Sequence, residues 1–317
     1  MSEAHSALAT IEDFKPKRLL RADTIGEFVQ LEIPPREMIL GPVIPAQGLV
    51  MVYAPRGVGK TLTTLGMAYA VASGGSFLRW RAEKPRKVLY VDGEMPAIVM
   101  QERMMSFIAG AAEQPPSPDH FRLITPDRQD MNVGIPDLST KLGQDAIEEH
   151  LGDGVDLLVL DNLSTLLRSG RENEAESWQP LQTWLLELRR RGLSVVLVHH
   201  AGKGGNQRGT SKREDTLDTI ISLRRPEDYD PSQGARFIIH YEKSRSFHGD
   251  EAKAFEAKME VVNGAAMWTT LEIEDASLEL VRELLAEGKS LREVQKETGI
   301  PKSTVQRMKR RIAEGEI

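Results

Sequence analysis

Cysteine is missing from all 317 residues. Its absence excludes a disulfide framework, a thiolate zinc site and a cysteine nucleophile together. Long hydrophobic runs are missing too; none approaches the roughly 20 apolar residues that a membrane-spanning helix needs. The first residues, Met1-Ser-Glu-Ala-His-Ser, lack the basic and apolar segments of a secretory leader. These absences fit a cytoplasmic protein with no membrane partner. An excess of positive charge is also lacking. The formal net charge is −6, so any contact with a polyanion must come from local basic clusters, not from the whole surface. What remains, 40% hydrophobic and 28% charged residues, is ordinary for a globular chain. The length suits one large α/β domain with a small appendage.

Against that background one stretch organises the rest: Val50-Met-Val-Tyr-Ala-Pro-Arg-Gly-Val-Gly-Lys-Thr61. An apolar β-type run, residues 49–53, breaks into a Gly/Pro loop and then meets a helix-forming run, 62–72. This is strand, phosphate loop and helix, with Ala54 where the first glycine usually stands. Alanine holds that turn if its φ stays negative. Gly57 and Gly59 let successive N–H groups point inward as an anion nest, and the helix adds its positive dipole end. Ala54, Pro55, Arg56, Gly57, Val58, Gly59, Lys60, Thr61 and Leu62 are therefore expected to bind ATP. Lys60 would reach the β- and γ-phosphates, and the Thr61 hydroxyl would ligand Mg²⁺.

Residues 22–47 carry Pro34, Pro35, Pro42 and Pro45 and predict an extended lead-in. Strands are predicted over 49–53, 87–92, 121–124, 156–161, 193–198 and 219–223, with helices over 61–73, 97–109, 138–151 and 174–191. The continuous apolar strands mark a parallel sheet buried on both faces. A β-rich run, 236–241, 254–261 and 266–271, then extends it. The fold class is α/β: a mostly parallel sheet with helices on both faces and an antiparallel extension. Three short helices, 278–286, 291–298 and 303–312, end the chain, with Ser303 placed to cap the last. The domains read as an arm, 1–47, a core, 48–273, and a helix-turn-helix unit, 277–317.

Several residues outside the loop can carry chemistry. Asp161 ends an apolar strand, where an acid either holds Mg²⁺ or caps the next loop. Glu94 follows a strand end and either orients an attacking water or faces solvent; Asp92 competes weakly for that role. His200, with His199 beside it, ends the next strand; one of the two could sense the γ-phosphate, and the alternative is a partly buried structural histidine. Lys203, Arg208, Lys212 and Arg213 lie in a glycine-rich loop that either holds a nucleic-acid backbone or is simply solvated. A second loop, 163–177, has a weaker claim. Lys243 and Arg245, alternating on a strand, point to one side and could reach a neighbouring subunit's nucleotide. In the last helix Lys302, Ser303, Thr304, Arg307 and Arg310 could contact DNA; the alternative is a docking or oligomerisation module.

Five motifs in order resemble a RecA-fold ATPase of the hexameric-helicase type: residues 54–61, Tyr90-Val-Asp-Gly-Glu-Met95, Leu157-Leu-Val-Leu-Asp161, Val198-His-His-Ala-Gly-Lys203 and Glu242-Lys-Ser-Arg245. The likeness, over residues 22–271, is to plasmid RepA-type replicative helicases and AAA_25-like ATPases of mobile elements. That resemblance implies a RecA-like core, ATP and Mg²⁺ as cofactors, and a hexameric homo-oligomer around single-stranded DNA. It implies Glu94 as catalytic base, Lys60 on the phosphates, Asp161 as metal acid, His200 as sensor, and Arg245 with Lys243 as a finger in trans. The loops after Asp161 and His200 would line the DNA channel. The C-terminal segment is similar instead to resolvase-type or other small helix-turn-helix units, which bind duplex DNA. Two departures stand out: Ala54 in the loop, and no long aromatic-rich DNA loop. Unwinding, loading, an ATP-gated regulator and a recombination accessory are all compatible with these residues.

Overall fold

The computed structural model describes residues 20–152, 154–168, 175–201 and 214–313. The chain divides into two units at Arg36 and Glu37. Where prolines predict an extended lead-in, the first unit instead holds a short helix, α1 (Ile25–Val29). Its cause is a capping box. Thr24 Oγ1 accepts from Glu27 N–H at 3.2 Å, and the Glu27 carboxylate accepts from Thr24 N–H at 2.8 Å.

The second unit opens with a hairpin, β1 (Met38–Leu40) and β2 (Ile44–Pro45). Every residue of β3 (Leu49–Ala54) is buried. The chain then turns into α2 (Lys60–Ser73), buried at 12 of its 14 positions. A helix so enclosed needs cover on both sides. The sheet gives one cover, and an unpredicted hairpin, β4 (Ser76–Phe77) and β5 (Trp80–Arg81), gives the other. Gly66 permits that approach, since a Cβ there would stand 2.2 Å from the Phe77 ring.

Next come β6 (Val88–Asp92), α3 (Ala97–Gly110), β7 (Phe121–Ile124) and α4 (Lys141–Glu148). α4 is shorter than the apolar pattern predicts because Asp137 holds the residues before it in a turn. Its carboxylate accepts from Ser139 N–H at 3.1 Å and Arg168 N–H at 3.0 Å. Then follow β8 (Leu157–Asp161), α5 (Leu163–Leu166), α6 (Ala175–Arg190), β9 (Ser194–His200) and β10 (Thr219–Arg224). The sheet is completed by β11 (Arg236–Ser244), β12 (Phe255–Val262) and β13 (Ala265–Glu272).

The nine-stranded sheet has the order β13-β12-β11-β10-β3-β9-β8-β6-β7. Pairings from β10 through β7 are parallel, and those from β10 to β13 antiparallel. Strand alternation builds two cores. Val50, Val52, Tyr90 and Val159 face α2 and α3, whereas Leu49, Met51, Leu158 and Val195 face the α6 stripe of Trp178, Leu181, Trp184 and Leu188. Helices thus cover both faces, as the apolar runs predict.

α7 (Ile273–Ala286) starts directly after β13 and runs through residues 274–276, between the expected core and C-terminal unit. α8 (Leu291–Thr298) is capped by Ser290 and Glu293 and closed by Gly299 at φ 70°. α9 (Lys302–Ala313) follows, and a small core of Leu278, Val281, Val294, Val305 and Met308 joins the three. α9 begins one residue earlier than predicted because Pro301, with its φ preset, already suits the helix entrance. Ser303 therefore lies in the first turn and does not cap it. Among the described residues no helix is long and apolar enough to cross a membrane.

Candidate nucleotide site

β3, β9, β8 and β6 are neighbours in the sheet, and their carboxyl ends meet in a cleft of about 440 Å³. The chain leaves β3 and crosses over to β6 on one side, while β10 lies on the other, so the cleft sits at a switch in strand order. Open α/β sheets bind ligands at such places.

The phosphate loop forms one wall through Arg56, Gly57, Gly59, Lys60, Thr61 and Leu62. Ala54 ends β3 as a buried strand residue and is not among those with positive φ, so it substitutes for glycine without strain. Gly57 has φ 76° and Gly59 φ 132°, conformations that favour glycine. A Cβ on Gly59 would also lie 2.6 Å from the Phe237 ring on β11. Val58 is 4% exposed and belongs to the core beneath the loop.

Lys60 Nζ donates to the carbonyls of Ala54 and Pro55, each at 3.0 Å. Burial lowers the Lys60 pKa to about 8, opposed by the charges of Asp161 and Glu94. Asp161, 3% exposed, is bonded by the Thr61 side chain and accepts from Tyr90 OH at 2.7 Å. Thr64 Oγ1 in turn lies 2.9 Å from Tyr90 OH. Burial raises the Asp161 carboxyl, and the Tyr90 and Thr61 bonds and Lys60 oppose that.

Two further acids stand beside it. Asp92 Oδ2 accepts from Met95 N–H at 2.9 Å and braces the turn after β6. Burial raises the Asp92 pKa to about 7, with Asp161 adding to the rise. The braced turn presents Glu94 to the cleft, where Glu94 Oε2 accepts from Asn162 Nδ2 at 2.5 Å. On β9, His199 pairs with Tyr53 and His200 with Ala54. Alternation then puts His200 in the cleft wall, while His199 is fully buried.

Among the described residues no cluster of three or more His, Cys, Asp or Glu side chains could hold a metal. Mg²⁺ suits this arrangement, because it is usually held by one or two protein groups plus phosphate oxygens and water. Thr61 and Asp161, already side by side, fit that donor set.

Other predicted residues lie elsewhere. Lys243 donates to the Glu214 carbonyl, and Arg245 to the Asp215 carbonyl at 2.6 Å. β11 ends at Ser244, so Arg245 lies past the strand and does not alternate with Lys243 on it, and neither residue lines this cleft. Burial and the nearby Arg245 charge lower the Lys243 pKa. Lys302, Ser303, Arg307 and Arg310 are exposed on α9, opposite the buried Val305 and Met308, and Thr304 is half-buried. Lys203, Arg208, Lys212 and Arg213 lie outside the described residues. Sequence reasoning missed Asn162, Pro96, Val99 and Arg103, all in the cleft wall. Asn162 had a signal in its place directly after the acid-ended strand.

No relative matches among proteins of curated function. A solved structure, the KaiC-like protein of the hyperthermophilic archaeon Pyrococcus horikoshii OT3, shares the fold. It is 17% identical with a TM-score of 0.50, over 74% of this chain and 98% of that one. The AAA_25 model, described as an AAA domain, matches residues 15–206, more than half of the chain. With a phosphate loop, a strand-ending acid and a parallel sheet of RecA type in place, the chain belongs to the AAA_25 family of P-loop ATPases.

Proposed function

We propose that this ATPase is an oligomeric DNA motor, a replicative helicase or helicase loader of a plasmid or mobile element. The observation that carries hydrolysis is the meeting in one cleft of Lys60 and Thr61, at the start of α2, with Glu94 after β6 and Asp161 at the end of β8. Arriving phosphates replace the Ala54 and Pro55 carbonyls as partners of Lys60. Thr61 and Asp161 would hold Mg²⁺, which neutralises phosphate charge. Glu94 takes the proton of the attacking water, held for that task by Asn162. His200 faces the γ-phosphate end of the cleft and passes its loss to the loop that follows.

Neither Lys243 nor Arg245 lines its own chain's cleft, which leaves both available to a neighbour's nucleotide. In a hexamer they complete the next subunit's site, and the loops after Asp161 and His200 face single-stranded DNA. The deciding experiment is strand displacement with ATP and Mg²⁺, beside a Lys60→Ala control. Unwinding that persists in the control, or none by the wild type under any loading condition, overturns the helicase reading.

A second reading has its own observation. The exposed basic face of α9 belongs to a unit joined to the sheet by the continuous α7, which suits an ATP-gated regulator binding duplex DNA. ATP turnover stimulated by single-stranded DNA favours the motor; nucleotide-dependent duplex binding without that stimulation favours the regulator. A recombination accessory would form filaments, not rings, with ATP.

A further inference from the structure

We propose that Arg225 is a positioning residue for the phosphate loop, acting through the Gly57 carbonyl to turn the Val58 N–H toward the phosphates. The proposal rests on the nucleotide reading of the cleft. Arg225 follows β10 directly, and both terminal nitrogens and one face of its guanidinium are engaged. Nη2 donates to Gly57 O at 2.7 Å. Nη1 donates to Gly234 O at 2.9 Å and to Arg236 O at 2.8 Å. The group lies over the Tyr229 ring, 3.6 Å from its centroid. Two carbonyls and a ring fix the guanidinium plane, so the remaining donor has a set direction.

That direction matters because a peptide unit is planar. The Gly57–Val58 bond is not among the cis peptides; its C=O and N–H therefore point opposite ways. With the carbonyl drawn back toward Arg225, the Val58 N–H faces the other side, into the nest. Among the described residues that N–H donates to no acceptor. Gly57 has a φ of 76°, which favours glycine at this turn, and the buried Val58 side chain keeps the unit from rotating as a whole. Arg225 itself does not line the cleft. The turn between β10 and β11 thus sets the loop from behind, and the glycines permit what Arg225 selects.

The test is fluorescence titration with mant-ADP, together with steady-state ATPase kinetics, on wild type, Lys60→Ala, Arg225→Ala and Arg225→Lys. Arg225→Ala should weaken mant-ADP binding about tenfold, the usual scale for one well-placed hydrogen bond. It should raise KM for ATP by a similar factor and leave kcat within about twofold, the signature of lost uniform binding. Arg225→Lys keeps the charge without the plane and should recover only part of the affinity. If Arg225→Ala does not fold, Arg225→Lys with a wild-type melting curve decides the matter. Wild-type affinity in either folded variant, or a fall confined to kcat, overturns the proposal while the nucleotide reading stands. If wild type itself binds no mant-ADP, the nucleotide reading fails first.

Discussion

Asn162 Nδ2 donates to Glu94 Oε2 at 2.5 Å, while Asn162 Oδ1 accepts the Ser164 N–H at 3.0 Å. One amide thus ties the cleft carboxylate in the turn after β6 to the first turn of α5. A hydrogen bond to a carboxylate is stronger than a neutral one, so whatever shifts the chain after β8 also shifts Glu94. Glu94→Gln should bind nucleotide as wild type does and lose at least about 10²-fold in hydrolysis, the contribution of a positioned base. Phosphate release under single-turnover conditions measures this. Near-normal turnover would remove Glu94 from the mechanism.

Lys60 sets a pH dependence of nucleotide binding. Its pKa in the free protein is lowered to about 8, and phosphates bind the charged ammonium. A bound phosphate raises that pKa, so binding takes up a proton in the window above 8. Below pH 8 the affinity for ADP should be flat with respect to this group. Above it, log affinity should fall with a slope approaching −1, and the fall should vanish in Lys60→Arg, which stays protonated. Isothermal titration between pH 7 and 9.5 reads the slope. A flat profile in the wild type would mean either that Lys60 titrates above this range or that it does not meet the phosphates.

Much of this site was legible before any coordinates. The β3 apolar run, the glycines and the Lys-Thr pair specify a local conformation that few residues could alter, and the acid at the end of β8 follows from its buried strand. Asn162 and Arg225 were hidden for a different reason. Their roles depend on partners 68 and 168 positions away, which no local pattern encodes. The β4–β5 hairpin escaped because its strands have two residues each, too short for any alternation to register. α1 escaped because its capping box is a local signal that the prolines overshadowed.

Gly59 gives a stability test of the loop. Gly59→Ala faces both φ 132° and a ring carbon of Phe237 at 2.6 Å from the new Cβ. Phe237 is fully buried and cannot move aside freely. The variant should lose about 2 kcal/mol or more, combining backbone strain with overpacking. Urea unfolding of the two proteins measures the difference. A loss below about 0.5 kcal/mol, the level of an ordinary surface change, would mean that the loop is held more loosely than this packing implies.

The α9 face gives a DNA test. Arg307 and Arg310 are exposed on one side of the helix, and Val305 and Met308 anchor the other. The double change Arg307→Ala with Arg310→Ala should leave the fold intact and weaken duplex binding at least about tenfold at moderate salt. If both meet phosphates, the slope of log affinity against log salt should shrink by about 2. Anisotropy titrations of a labelled duplex at several salt concentrations check this. An unchanged slope would assign α9 to docking or oligomerisation instead.

Arg245 tests whether sites are shared between subunits. Its guanidinium contacts the Asp215 carbonyl at 2.6 Å at an exposed site, a charged bond worth at most about 1.5–3 kcal/mol, so Arg245→Ala should still fold and assemble. If Arg245 serves the neighbouring cleft, that variant should lose about 10³-fold or more in turnover, as trans arginines do elsewhere. Lys60→Ala should be inactive for the opposite reason, having an intact Arg245 but a broken cleft. Mixing the two inactive proteins then becomes informative. At a head-to-tail interface, random mixing pairs an intact cleft with an intact Arg245 at about a quarter of the sites. ATPase activity should therefore reappear in the mixture, to about that fraction of wild type, and only after subunits exchange. No recovery in exchanged mixtures, or normal turnover by Arg245→Ala alone, would confine each catalytic site to a single chain.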